Sequence, residues 1–132
     1  MPELPGPRNQ ENHFKVLYVE DNPANMELVA SILFHHNVKL LQAPDPSLGI
    51  ELARVHKPDL ILMDINLPGI DGYETLTILK TDPITNSIPV IAFSFDAMPA
   101  DLTKGLSASF IEYIPKPTYI APFLKTVNKY LV

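Results

Sequence analysis

Short uninterrupted apolar runs alternate along this chain with stretches in which apolar residues recur every third or fourth position. Val16-Leu17-Tyr18-Val19 and Leu60-Ile61-Leu62-Met63 are runs of the first kind, as expected of strands buried on both faces of a parallel sheet. Met26, Val29, Ala30 and Leu33 fall at i, i+3, i+4 and i+7 and predict a helix with one apolar face. Asn22-Pro23 opens it, proline being tolerated in the first turn. The same rhythm predicts strands over 15–20, 38–42, 59–64, 88–93 and 110–114. A second helix is marked by Leu48, Leu52 and Val55 and ended by Lys57-Pro58, because the residue before proline is pushed out of helical geometry. A third begins at Gly72 or Tyr73, runs through Leu76 and Leu79 and stops by Asp82-Pro83; a fourth covers 99–106. Ile120, Phe123, Leu124, Val127 and Leu131 supply the stripe of a closing helix. Five strands and five helices in alternation predict an α/β domain with a doubly wound parallel sheet and right-handed crossovers. Residues 1–13 are polar, carry Pro2, Pro5 and Pro7, and show no periodicity; they read as a flexible leader or the stub of a linker.

Composition narrows the function without naming it. At 132 residues and 46% hydrophobic content the chain suits one globular domain over 14–132. A net charge of −5 with no cluster of Lys or Arg argues against direct nucleic-acid binding. The absence of cysteine excludes disulfides and thiolate chemistry and suits a cytoplasmic protein. No apolar stretch approaches the ~18 residues of a membrane span, and the N-terminus lacks the layout of a signal peptide.

Four of the expected strands run into residues with chemical potential: Glu20-Asp21, Asp64, Ser94, and Lys116 just past the fifth. Taken singly, each has a bland reading. A strand-end aspartate is most often a turn former or helix cap, Ser94 a turn hydroxyl and Lys116 a solvated amine. Together they would share the rim where open α/β sheets gather their ligands. Acidic groups at the ends of two strands repel each other unless a cation lies between them. Asp21 and Asp64, with Glu20 acting through water, suit Mg²⁺ (or Mn²⁺), which takes a few carboxylates and keeps several waters. A metal-bound carboxylate beside a phosphorylated donor can attack phosphorus and form an acyl phosphate. The Lys116 ammonium and the Ser94 hydroxyl are suitable partners for the charge of the new group.

Four segments then match a family. Val16-Leu17-Tyr18-Val19-Glu20-Asp21-Asn22, the stretch from Leu62-Met63-Asp64 through Asn66-Leu67-Pro68-Gly69 to Tyr73-Glu74, Pro89-Val90-Ile91-Ala92-Phe93-Ser94, and Tyr113-Ile114-Pro115-Lys116-Pro117 together resemble the receiver domain of two-component response regulators. The order and separation of the segments agree, and the resemblance covers about residues 14–132. It implies a flavodoxin-like (βα)5 fold with strand order 2-1-3-4-5. It implies that Asp64 accepts the phosphoryl group, that Glu20 and Asp21 are the acidic pair for Mg²⁺, and that the Asn66 backbone carbonyl is a further ligand. Ser94 takes the hydroxyl position, Lys116 the lysine position and Tyr113 the aromatic switch position. An aromatic residue also suits an edge strand for packing reasons alone.

The resemblance further implies a partner that donates phosphoryl groups, either a histidine kinase or a histidine phosphotransfer protein. Phosphorylation would draw Ser94 and Lys116 toward Asp64 and repack the face around the fourth strand, the 99–106 helix and the fifth strand. A downstream effector, or a second copy of the chain, would read the face formed by that helix, the fifth strand and the closing helix. Such a domain is a signalling module, not a metabolic enzyme; it promotes its own phosphorylation and a slow to moderate dephosphorylation. Neither nucleic acid nor membrane is expected as a partner. Asp21-Asn22-Pro23-Ala24-Asn25-Met26 and Ala97-Met98-Pro99 are closest in flavour to receivers of hybrid sensor kinases. A stand-alone receiver and a receiver taken from a larger protein both remain open.

Departures from the family pattern carry their own expectations. Phe95 stands where the family has a small residue at the mouth of the phosphoryl pocket. Its ring either narrows the mouth or swings outward onto Met98. Asn66 and Asp96 occupy the variable positions that flank the pocket, and a polar pair able to orient water implies a short-lived phosphorylated state. Ala108-Ser109 replaces the family's Ala-Gly, and nothing explains Thr118 after Lys116-Pro117. His35-His36 read as surface residues at a helix end, since neighbours on a helix cannot both face one site.

Three rival readings remain. A Mg²⁺-dependent aspartyl phosphatase needs a second acid two residues after the nucleophile, where Asn66 stands. A flavin or dinucleotide domain needs a phosphate-cradling loop after the first strand, where Asp21-Asn22-Pro23 would repel phosphate. A pseudo-receiver acting only as a docking module is favoured by Phe95 and opposed by the intact set of Asp21, Asp64, Ser94 and Lys116. Two outcomes are expected. Phe95→Ala speeds labelling by small phosphodonors, equal rates being the contrary result, and the phosphorylated chain decays well within hours, a many-hour lifetime being the contrary one.

Overall fold

The computed structural model describes residues 14–34, 38–64, 72–94, 112–115 and 120–131. β1 (Phe14–Val19) is paired in parallel on both sides, with β2 (Val38–Ala43) and with β3 (Leu60–Met63). β4 (Val90–Ser94) adds to β3, and β5 (Glu112–Pro115) adds to β4, both in parallel. The order β2-β1-β3-β4-β5 is the expected one. Parallel neighbours require crossovers, supplied by α1 (Pro23–Phe34), α2 (Pro46–His56) and α3 (Gly72–Thr81), while α4 (Ile120–Asn128) closes the domain. The helix expected over 99–106, the leader over 1–13 and His35-His36 lie outside the described residues.

The period of two along each strand sorts the core into two layers. Leu17 and Val19, Ile61 and Met63, and Val90 and Ala92 gather with Leu41 and Ala43 against Ala53 of α2 and Leu76 and Leu79 of α3. The alternate residues Val16 and Tyr18, Leu60 and Leu62, and Ile91 and Phe93 meet Met26, Val29 and Leu33 of α1 and Phe123 and Val127 of α4. Because helices cover both faces, the fully buried stretches Val16-Leu17-Tyr18-Val19 of β1 and Leu60–Met63 of β3 run without polar alternation. At the end of the sheet remote from the acids, Lys15 N–H donates to Asp59 Oδ2 at 2.8 Å and Asp59 N–H to the Lys15 carbonyl at 2.8 Å. This reciprocal pair fixes β1 against β3, and with it the relative height of Glu20 and Asp64.

α2 departs from its expected stripe. Val55 is 67% exposed, Leu48 and Leu52 are half-buried, and the buried positions are Pro46, Gly49 and Ala53. Small residues set this rotation. A Cβ built at Gly49 would stand 2.7 Å from Val19 Cγ2, so the helix lies on β1 along its smallest side chains and turns Val55 to solvent. Asp45 caps its start, Oδ1 accepting from Leu48 N–H at 2.8 Å. Its end is Lys57 at φ 48, whose N–H reaches the Ala53 carbonyl, before Pro58.

Other boundaries shift by one or two residues. β1 and β3 end at Val19 and Met63, so Glu20 and Asp64 are the first residues beyond their strands. Ile88 belongs to the preceding turn, its N–H donating to the Thr85 carbonyl, and β4 starts at Val90. β5 covers 112–115 instead of 110–114. Ala30 is only half-buried.

Gly49→Ala sets two effects against each other. A helix-interior Gly→Ala change favours folding by about 0.5–1 kcal/mol, whereas overpacking costs about 1–3 kcal/mol. With the stiff, fully buried Val19 in the way, packing wins. The expected result is a urea midpoint lowered by about 1 kcal/mol of stability at unchanged m-value; a raised midpoint would mean that α2 lifts off β1 freely.

Candidate functional site: an acidic crevice at the sheet's switch point

From β1 the chain crosses to β2 on one side; from β2 it returns to β3 on the other. At such a reversal the flanking connections diverge and leave a crevice beyond the strand ends. Glu20-Asp21 and Asp64 are the residues that leave β1 and β3 at this point. The ladder extends one residue past the strands, Glu20 N–H donating to the Ala43 carbonyl at 2.9 Å and Asp64 N–H to the Val19 carbonyl at 3.1 Å. The backbone beneath the acids is therefore held in sheet register.

Each of Glu20, Asp21 and Asp64 offers a carboxylate oxygen, and these oxygens lie within 4.8 Å of one another. Glu20 is 2% and Asp64 7% exposed, while Asp21 is open to solvent. Glu20 is tied at both oxygens. Oε1 accepts from the Tyr18 hydroxyl at 2.7 Å, and Oε2 from Asn22 N–H at 3.2 Å. Asn22 in turn caps α1, its Oδ1 accepting from Ala24 N–H at 2.8 Å and Asn25 N–H at 3.2 Å. The Glu20-Asp21-Asn22-Pro23 sequence thus does two jobs, ending the strand in acids and starting the helix with a cap and a first-turn proline.

Tyr18 was not among the expected site residues, because a tyrosine inside an apolar run counts as core. Its position carried the signal nonetheless. On a strand, residues i and i+2 share a face, and a buried phenol needs a hydrogen-bond partner. Burial above all, then the bond to Glu20, then the negative charges of Glu20 and Asp64, hold its pKa far above the ordinary tyrosine value. The hydroxyl therefore remains a donor throughout the physiological range. Its ring is held in place by Phe93 at a centroid distance of 5.7 Å, and Phe93 lies 5.6 Å from Phe123 of α4.

The other expected residues are placed in part. Ser94 is the last residue of β4, in register with Pro115 of β5, and Tyr113 is in register with Ala92. Because Met63 pairs with Ala92, the Ser94 backbone reaches the same rim as Asp64. The side chains of Ser94 and Tyr113, and the whole of Asn66, Phe95, Asp96 and Lys116, lie outside the described residues. The donor set in hand is all oxygen, which suits a hard divalent cation, and the exposure of Asp21 leaves room for retained waters. Among the described residues no helix is long and apolar enough to cross a membrane.

Comparison with known proteins agrees with this arrangement. The polar-differentiation response regulator DivK of Brucella anthropi is 37% identical over 116 residues, covering 88% of this chain and 94% of that protein. Protein PilH of Pseudomonas aeruginosa is 34% identical over 117 residues, covering 89% and 97%. Among solved structures, the receiver domain of a sensor histidine kinase from Pseudomonas aeruginosa PAO1 superposes with a TM-score of 0.83 at 26% identity, over 90% of this chain and 98% of that one; it holds a magnesium ion in its active-site cleft. A response regulator from Chloroflexus aurantiacus J-10-fl shares the fold at a TM-score of 0.85 and 22% identity, over 90% and 98%. The family profile for the response regulator receiver domain matches residues 16–128, and the chain belongs to that family of two-component signalling domains.

Proposed function

We propose that this receiver takes a phosphoryl group onto Asp64 from a histidine kinase or a histidine phosphotransfer protein, with Mg²⁺ or Mn²⁺ bound beside it. The observation that carries the reading is the convergence of Glu20, Asp21 and Asp64, whose carboxylate oxygens lie within 4.8 Å of one another at the C-terminal ends of adjacent strands. Asp21 and Asp64 would hold the cation, together with the Asn66 backbone carbonyl. Glu20 would hold it through water, which suits a buried carboxylate whose two oxygens already accept from Tyr18 and Asn22. When bound, the cation supplies positive charge that offsets the carboxylates and the incoming phosphoryl oxygens.

In the transfer step an Asp64 carboxylate oxygen attacks the phosphorus of a phosphohistidine. The P–N bond breaks, the P–O bond of the aspartyl phosphate forms, and the departing imidazole takes up a proton. Burial of Asp64 to 7% exposure limits water around the acyl phosphate, while Asn66 and Asp96 orient the water that hydrolyses it. Lys116 pairs with the phosphoryl charge and Ser94 donates to one of its oxygens. Because Ser94 ends β4 and Tyr113 lies on β5, a shift of the hydroxyl toward Asp64 is felt on the next strand. An effector or a second copy of the chain would read that change as a population shift between two arrangements.

Acetyl phosphate with Mg²⁺ tests the reading. The unaltered chain is expected to label, the label to vanish with EDTA and in Asp64→Asn, and Asp21→Asn to weaken Mg²⁺ binding by at least about tenfold. Labelling that survives Asp64→Asn contradicts the proposal. A chain that labels from no donor, yet still docks to a kinase, is a docking module only.

A further inference from the structure

The geometry points to Tyr18 as a positioning residue of the cation pocket: its buried hydroxyl fixes the Glu20 carboxylate in the orientation that receives the metal's waters. The inference rests on the reading of the acidic crevice as a divalent-cation site. It concerns a residue of the core, three positions before Asp21, whose hydroxyl grips the Glu20 carboxylate directly.

Three observations support it. Tyr18 and Glu20 stand two residues apart at the end of β1, so the strand's alternation brings both to one face, and the phenol donates to Oε1 at 2.7 Å. A glutamate has one more rotatable bond than an aspartate, and a free carboxylate beside two others would swing away from them. The 2.7 Å bond, together with Asn22 N–H on Oε2, removes that freedom. Secondly, the phenol itself cannot move aside. Tyr18 is fully buried, and its ring rests against Phe93 at 5.7 Å, which rests on Phe123 at 5.6 Å. The donor is thus anchored through two aromatic contacts to α4. Thirdly, the hydroxyl bears on the group that needs it most. Asp21 is exposed and able to adjust to a cation, whereas Glu20 is 2% exposed and serves only if it is set correctly beforehand. Outer partners that orient carboxylates in this way typically govern metal affinity by about 10–100-fold.

Tyr18→Phe removes the hydroxyl and keeps the ring contacts. Calorimetric titration with Mg²⁺ is expected to show a dissociation constant raised about tenfold, with thermal unfolding in EDTA reporting the metal-free fold separately. In a Glu20→Ala background the same substitution is expected to change the constant by a factor near one, because the group through which Tyr18 acts is gone. A merely structural role predicts the same loss in both backgrounds, and that result overturns the inference, as does an unchanged constant in Tyr18→Phe alone. Should Tyr18→Phe not fold, 3-fluorotyrosine placed at position 18 keeps the hydroxyl. Its fluorine resonance is expected to shift on Mg²⁺ addition with the calorimetric midpoint and to stay still in Glu20→Ala; a resonance blind to Mg²⁺ in the otherwise unaltered chain contradicts the inference. Failure of the unaltered chain to bind Mg²⁺ at all overturns the functional reading and this inference with it.

Discussion

Like charges held together at the C-terminal ends of β1 and β3 are the constraint around which the domain is arranged. Glu20 and Asp64 are both buried and offer oxygens within 4.8 Å of each other. For two unit charges at that separation and an effective dielectric constant of about 20, the repulsion is roughly 3–4 kcal/mol. A comparable amount of stability must come from elsewhere. Part is local: a hydrogen bond to a charged group contributes about 1.5–3 kcal/mol, and Glu20 accepts two. The rest comes from the two apolar layers and from the β1–β3 ladder, which continues through Asp64 N–H to the Val19 carbonyl. A cation relieves the same repulsion, so a site strained by its own charges is also a site prepared to bind one.

The two layers differ in what they do for this site. On the α2–α3 side, Gly49 seats the helix on Val19, the residue immediately before Glu20. On the α1–α4 side, the line Glu20, Tyr18, Phe93, Phe123 runs from the acids to the closing helix. Phe93 is followed by Ser94, the last residue of β4. One layer therefore packs beneath the acids through Val19, and the other joins them through Phe93 to the end of β4.

Much of the fold was legible because strands covered on both faces leave an unusual trace: Leu60-Ile61-Leu62-Met63 has no polar residue to confuse its reading. The crevice followed from the same runs, since both end in acids, and the positions of Glu20, Asp21 and Asp64 are those expected. Two features were illegible for physical reasons. Helix rotation was read from large apolar residues, which pointed to Val55, whereas the close approach was made by Gly49 and Ala53. Tyr18 stands inside an apolar run, where burial alone accounts for a ring and draws no attention to its hydroxyl. The parity of Tyr18 with Glu20 was present in the sequence; what it lacked was the distance.

Borohydride trapping tests the central claim most directly. After exposure to a phosphodonor and Mg²⁺, reduction converts an aspartyl phosphate to homoserine, and peptide mapping locates it. The account predicts homoserine at position 64 and at no other acidic residue. Homoserine at position 21, 5-hydroxynorvaline (the alcohol from a glutamyl phosphate) at position 20, or no reduced residue anywhere in a chain shown to bind Mg²⁺, would contradict it.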